Sequence, residues 1–117
     1  MSLSYITHKG KRILFVDYTH CKTVDEMVKV LDDVKKEYEK SPGNILAIND
    51  FNGTFGSSEF LNAAKKHKQL FDGKTHRSAV LGITGIKKIL LNGYNAFITN
   101  KQMPFDTKEE ALEYLVK

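Results

Sequence analysis

Apolar residues along this chain fall into short unbroken runs and into longer stripes spaced three and four apart, the patterns of buried strands and amphipathic helices. The run Ile45 to Ile48 is too short for a helix. It leads into polar, glycine-broken sequence as far as Gly56, after which Ser57 or Ser58 precedes a segment with helical spacing. This predicts a strand, a loop at its carboxyl end and a capped helix, the place where open α/β sheets carry functional groups.

Upstream, Tyr5 to His8 and Arg12 to Tyr18 flank Lys9-Gly10-Lys11, which predicts a hairpin with the first strand at an edge. Ile13 to Val16 is apolar on both faces and reads as a central strand covered on both sides. Thr23-Val-Asp-Glu26 has the form of a capping box. It opens a helix with Val24, Met27, Val28, Leu31, Val34 and Tyr38 inward, stopped by Ser41-Pro42-Gly43.

Downstream of the organising strand, one helix is expected to turn Phe60, Leu61, Ala64, His67 and Phe71 inward and to stop at Asp72-Gly73. Ser78 to Ile83 predicts a third buried strand, broken by Thr84-Gly85. Ile86, Ile89, Leu90, Gly93, Phe97 and Ile98 form the next helical stripe, expected mostly as core. Met103-Pro104-Phe105 is a short last strand, at an edge because proline cannot donate to a ladder. Thr107 to Glu110 repeats the capping-box pattern and opens a terminal helix. The order β-β-α-β-α-β-α-β-α predicts an α/β domain. Its sheet is mixed and mostly parallel, of about five strands, with right-handed crossovers and an antiparallel first strand.

Composition adds bounds. With 117 residues, 41% hydrophobic and 27% charged, the chain fits one globular domain spanning residues 1–117, with Met1 to Leu3 set aside as a cloning remnant or disordered. Cys21 stands alone, so no internal disulfide forms, and no Cys/His cluster has zinc spacing. No metal and no cofactor is expected, and a reducing cytoplasm is the natural compartment. No apolar run approaches a membrane span, and the amino end lacks the pattern of a signal peptide.

The net charge of +4 is concentrated in the middle, where Lys65, Lys66, Lys68, Lys74, Arg77, Lys87, Lys88 and Lys101 face Asp72 alone between Asn62 and Phe105. That bias suits an anionic small molecule, a lipid surface or an acidic protein partner, against the plainer reading of a solvated lysine face. Nucleic acid is disfavoured, since no aromatic or zinc-finger motif accompanies the charge.

Asp17, Tyr18, His20, Asp50, Asn52, Thr54, Thr84 and Gly85 all fall at strand carboxyl ends or just beyond, and are expected to ring one crevice. Thr84-Gly85 followed by Lys87 and Lys88 offers helix amides and two ammonium groups to an anion, although a tight turn explains the same residues. An enzyme is the weaker class. Asp17 and Asp50 could share a site, and Cys21 beside His20 could form a thiol-imidazole pair with hydrolase-like activity, yet no nucleophile, base and orienting group stand together.

The Ile45-Leu-Ala-Ile-Asn-Asp50 strand, the Gly82 to Leu91 segment and Pro104 to Leu112 together resemble the small STAS/SEC14-like proteins, related to anti-sigma-factor antagonists and to the lipid-binding lobe of Sec14-type transfer proteins. The resemblance implies a right-handed β-α superhelix and a regulatory or ligand-binding module, binding a lipid, an anionic small molecule or a protein partner, and able to form a homodimer. It also places Ser57, with Ser58 after it, where antagonists carry a phosphorylated serine. Gly56 and Glu59 depart from that motif, and helix capping accounts for both serines.

Overall fold

The computed structural model describes residues 2–117. Strand β1 (Leu3–His8) pairs antiparallel with β2 (Lys11–Asp17), and β3 (Ile45–Asp50), β4 (Thr75–Leu81) and β5 (Gln102–Phe105) follow in parallel, in the spatial order β1-β2-β3-β4-β5. The hairpin turn uses Lys9 and Gly10, both at positive φ. Helices α1 (Val24–Lys40), α2 (Ser58–Lys65), α3 (Lys68–Lys74) and α4 (Ile86–Asn95) gather on one face, and α5 (Lys108–Leu115) packs on the other.

The alternation of side chains along the strands divides the core in two. Leu14, Val16 and Ala47 meet Met27, Val30 and Val34 of α1, while Ile13, Leu46, Ile48 and Ala79 meet Ala111 and Leu115 of α5. β2 is therefore apolar on both faces because both are covered. Each buried aliphatic side chain in these layers contributes roughly 1.5–3 kcal/mol of transfer free energy.

Both threonines cap their helices. The Thr23 hydroxyl accepts the Glu26 N–H at 3.1 Å, and the Glu26 carboxylate accepts the Lys22 N–H in return; Thr107 and Glu110 repeat the first of these bonds. Ser57 caps α2, accepting the Phe60 N–H at 3.1 Å. Ser57→Ala is expected to cost about 1 kcal/mol, read as a lowered urea midpoint with an unchanged slope.

Much of the central basic charge is spent inside the fold. Lys74 donates to the carbonyls of Tyr38 and Glu39, Lys101 to those of Asn95 and Ile98, and Arg77 to those of Tyr114 and Lys117. Three helix carboxyl ends are thus closed by cations reaching from elsewhere, where the helix dipole favours positive charge.

Three expectations need correction. The helix expected from Ser57 to Phe71 is two, because His67 leaves helical geometry at φ −114° and ψ 14° and the chain turns there. The order is therefore β-β-α-β-α-α-β-α-β-α. The third buried strand starts at Thr75 and ends at Leu81, since Gly82 takes φ +75° and turns the chain off the ladder. Leu3, set aside above, pairs with Val16 and packs on the α1 side of the core. Finally, Ile86, Ile89 and Phe97 of the expected stripe are exposed; Ile98, just past α4, is buried as expected and continues a row of Lys87, Leu91 and Tyr94 turned toward the sheet. These four recur at intervals of four, three and four, as good a helical row as the one expected. The lysine within it hid the row.

Candidate functional site: a cleft between the sheet and helices α2–α4

The space between the sheet and α2–α4 is not filled. A cleft of about 130 Å³ runs along β4, from Phe51, Phe55 and Lys87 at the carboxyl end to Asp72, Thr75 and Asn100 at the amino end. Its existence follows from side-chain size. The residues that β3, β4 and β5 present to it are Asn49, Thr75, Ser78 and Gln102, all short or polar, and neither α2 nor α3 contributes one fully buried residue.

An aromatic wall closes the side nearest α1. Tyr18 stacks on Phe51 with ring centroids 4.5 Å apart, and Phe60 stands edge-on to both at 5.4 and 5.8 Å. Leu90, Leu91, Tyr94 and Ile98 of α4 and its following turn form the opposite wall. The loop carrying Phe55 passes close to α4 because Gly56 has no side chain; a Cβ there would lie 2.4 Å from Ile86 Cγ2.

Three hydroxyls in the cleft stand out. Tyr18, Ser78 and Tyr94 are 2%, 4% and 5% exposed, and none of their side-chain oxygens has a hydrogen-bond partner among the described residues. None is a sealed orphan either, because no fully enclosed side-chain polar atom among those residues lacks a partner. Each hydroxyl therefore keeps some exposed surface, on a residue that lines the cleft. Burial raises the phenol of Tyr18 well above its usual value and pushes that of Tyr94 up to about 12, so both carry their protons at neutral pH.

Apart from the Asn49 and Gln102 amides, the other polar side chains in these walls already have partners. Thr54 donates its hydroxyl to the Phe51 carbonyl at 2.7 Å, and Lys87 Nζ reaches the same carbonyl at 3.1 Å. Burial lowers the Lys87 pKa, which disfavours its charge without removing it. The Asp72 carboxylate accepts the N–H groups of Thr99 and Asn100.

The residues expected to ring one crevice thus separate. Tyr18, Thr54, Lys87 and Ser57 line the cleft, whereas Asp17, His20, Asp50, Asn52, Ser58, Thr84, Gly85 and Lys88 do not. Asp17 and Asp50 are neighbours in register, yet each serves its own turn: Asp17 accepts the N–H and hydroxyl of Thr19, and Asp50 accepts the N–H and side-chain amide of Asn52. Gly85 begins α4 with no side-chain cap, and Lys88 is exposed. Sequence reading missed Asn49, Ser78 and Gln102. The signal was present, since strand alternation places Asn49 on the face of the buried Ala47 and Ser78 on that of the buried Val80.

Partial burial tends to raise the Asp17 carboxyl, but the two Thr19 donors outweigh it and hold the pKa below the ordinary value. A depressed folded pKa contributes stability above the unfolded value, lost as pH falls through the folded one. The stability gap between the wild type and Asp17→Asn is therefore expected to shrink below roughly pH 4, measured by urea unfolding at successive pH values. Cys21 is buried and its thiol is pushed up by that burial, with Sγ 4.0 Å from His20 Nε2; this disfavours a thiolate nucleophile.

Outside the cleft, α4 presents Ile86 and Ile89 to solvent, and Phe97 follows, with the ammonium groups of Lys65 and Lys68 about 5.2 and 5.1 Å from its ring. Among the described residues no helix is long and apolar enough to cross a membrane.

Compared as a sequence, the chain matches no protein-family model and no curated protein. Compared as a structure, it is similar to an uncharacterized protein of the DUF3478 family with a SpoIIAA-like fold from Shewanella loihica PV-4, with a TM-score of 0.71 and 16% identity over 97% of this chain and 91% of that one. The five-stranded mixed sheet with its antiparallel first strand, joined to that likeness, gives this chain a SpoIIAA-like, STAS-like fold.

Proposed function

We propose that this STAS-like module is a non-catalytic binding protein that takes a small ligand with an apolar body into the cleft beneath α2–α4. One observation carries the reading: the hydroxyls of Tyr18, Ser78 and Tyr94, all nearly buried and without protein partners, converge on one space with aromatic and aliphatic walls. An occupant with matching polar atoms takes the place of the water that these hydroxyls otherwise meet. Apolar walls with a few convergent polar groups are the common form of a small-molecule site.

A switch at Ser57 has less support. Its oxygen already caps α2, and a phosphate there would add charge two residues from Glu59. Catalysis has less still, with Asp17 and Asp50 turned into their own loops and the Cys21 thiol protonated.

Native mass spectrometry of the protein purified from its own cells tests the proposal. A bound small molecule is expected, and Ala64→Phe, which fills the cleft from α2, should release it while leaving the circular dichroism unchanged. A bare mass, with no thermal shift across a metabolite panel, would contradict the reading.

A further inference from the structure

The chemistry of the cleft restricts what it can hold. Its volume of about 130 Å³ lies just under the roughly 150 Å³ at which an apolar cavity accommodates benzene. One six-membered ring is about the size of that space, and a long acyl chain would have to extend out of it. Phe51 and Phe60 supply ring faces and edges for an aromatic body, the arrangement that aromatic pairs prefer.

Charge is confined to the two ends of the cleft. Lys87 stands at the carboxyl end beside the Phe51 carbonyl and Asp72 at the amino end beside two backbone amides, and no charged side chain lines the stretch around Ser78 between them. An ion entering the apolar remainder would lose its hydration with no compensating charge. The groups left free are neutral: the hydroxyls of Tyr18, Ser78 and Tyr94, together with the half-buried amides of Asn49 and Gln102. Hydroxyls and amides both donate and accept, so they match a carbonyl, hydroxyl or ring nitrogen equally well.

The geometry points to a neutral, ring-sized ligand carrying one or two hydrogen-bonding atoms, held between the Phe51 and Phe60 rings and the Ser78 and Tyr94 hydroxyls. This assignment rests on the proposed function and specifies its ligand class. It departs from the lipid or anionic ligand that the charge distribution alone suggests.

Four probes separate the possibilities in calorimetry and thermal shift on the full chain: phenol, toluene, benzoate and octanoate. Phenol is expected to bind tightest, toluene about tenfold more weakly, and the two anions not measurably. Ser78→Ala and Tyr94→Phe, neither of which removes a protein hydrogen bond, should each weaken phenol about tenfold while leaving toluene unchanged. Equal binding of phenol and toluene, or binding of benzoate or octanoate as tight as phenol, overturns the ligand class while leaving the cleft a binding site, provided Ala64→Phe abolishes that binding. Silence from all four probes overturns the class as well. If native mass spectrometry also finds the protein bare, the proposed function falls with it.

Discussion

Gly82→Ala is expected to be the most damaging small substitution in the molecule. Gly82 sits at φ +75°, a region that costs a side chain about 1–3 kcal/mol, and its added Cβ would lie 2.4 Å from Asn52 N and 2.8 Å from the Phe51 carbonyl carbon. Those atoms are backbone and cannot swing aside. They also belong to the segment whose Phe51 N–H binds the Leu81 carbonyl at 2.9 Å, so relieving the clash would break the tie between the carboxyl ends of β3 and β4. A loss of about 3 kcal/mol or more follows from strain and clash together. Thermal unfolding should show a midpoint lowered on the order of 10 °C. By contrast, Gly93→Ala lies in open space inside α4 and should be neutral or stabilising by about 1 kcal/mol.

Tyr18 provides the second large effect, and there the ring and the hydroxyl should act differently. Tyr18→Ala removes a buried ring that stacks on Phe51 and meets Phe60 edge-on, and is expected to cost about 3–5 kcal/mol through lost burial and the void left behind. Tyr18→Phe keeps the ring and deletes an oxygen with no protein partner. Its stability without ligand should stay within about 0.5 kcal/mol of the wild type, since no satisfied bond is lost. Urea unfolding of the two variants side by side separates a structural tyrosine from one whose hydroxyl is held in reserve for an occupant.

The fold was legible wherever local chemistry and packing agree. Thr23 with Glu26, Thr107 with Glu110, and the two-faced run Ile13 to Val16 each encode their element in a few adjacent residues, and the structure realises them. The division into α2 and α3 was not legible because no proline or glycine marks it; His67 simply leaves helical geometry where the packing turns the chain. α4 was misjudged because its apolar residues cover most of the cylinder. Only the position of the sheet decides which row is buried.

The candidate site was half legible for a related reason. Loops after parallel strands are easy to find in a sequence, and Tyr18, Thr54 and Lys87 were found that way. Asp17 and Asp50 were grouped with them by their place at the strand ends, although alternation puts them on the α5 face with Ile13 and Ile48 and hydrogen bonds hold both in their own turns. The cleft itself is assembled from residues far apart in the chain, and its most informative members are polar side chains inside otherwise apolar strands. An Asn49 or a Ser78 on a helix-covered face is the mark to look for, because a well-packed sheet has no need of either.

The most direct test is methyl NMR of the full chain with phenol, reading intermolecular nuclear Overhauser effects. The cleft account expects the phenol ring protons to report on methyls of Met27, Leu91 and Ile98, which line the space from opposite sides. Contacts confined to Ile86 and Ile89 on the outer face of α4, or perturbations only around Asp17, Asp50 and Thr84, would contradict it.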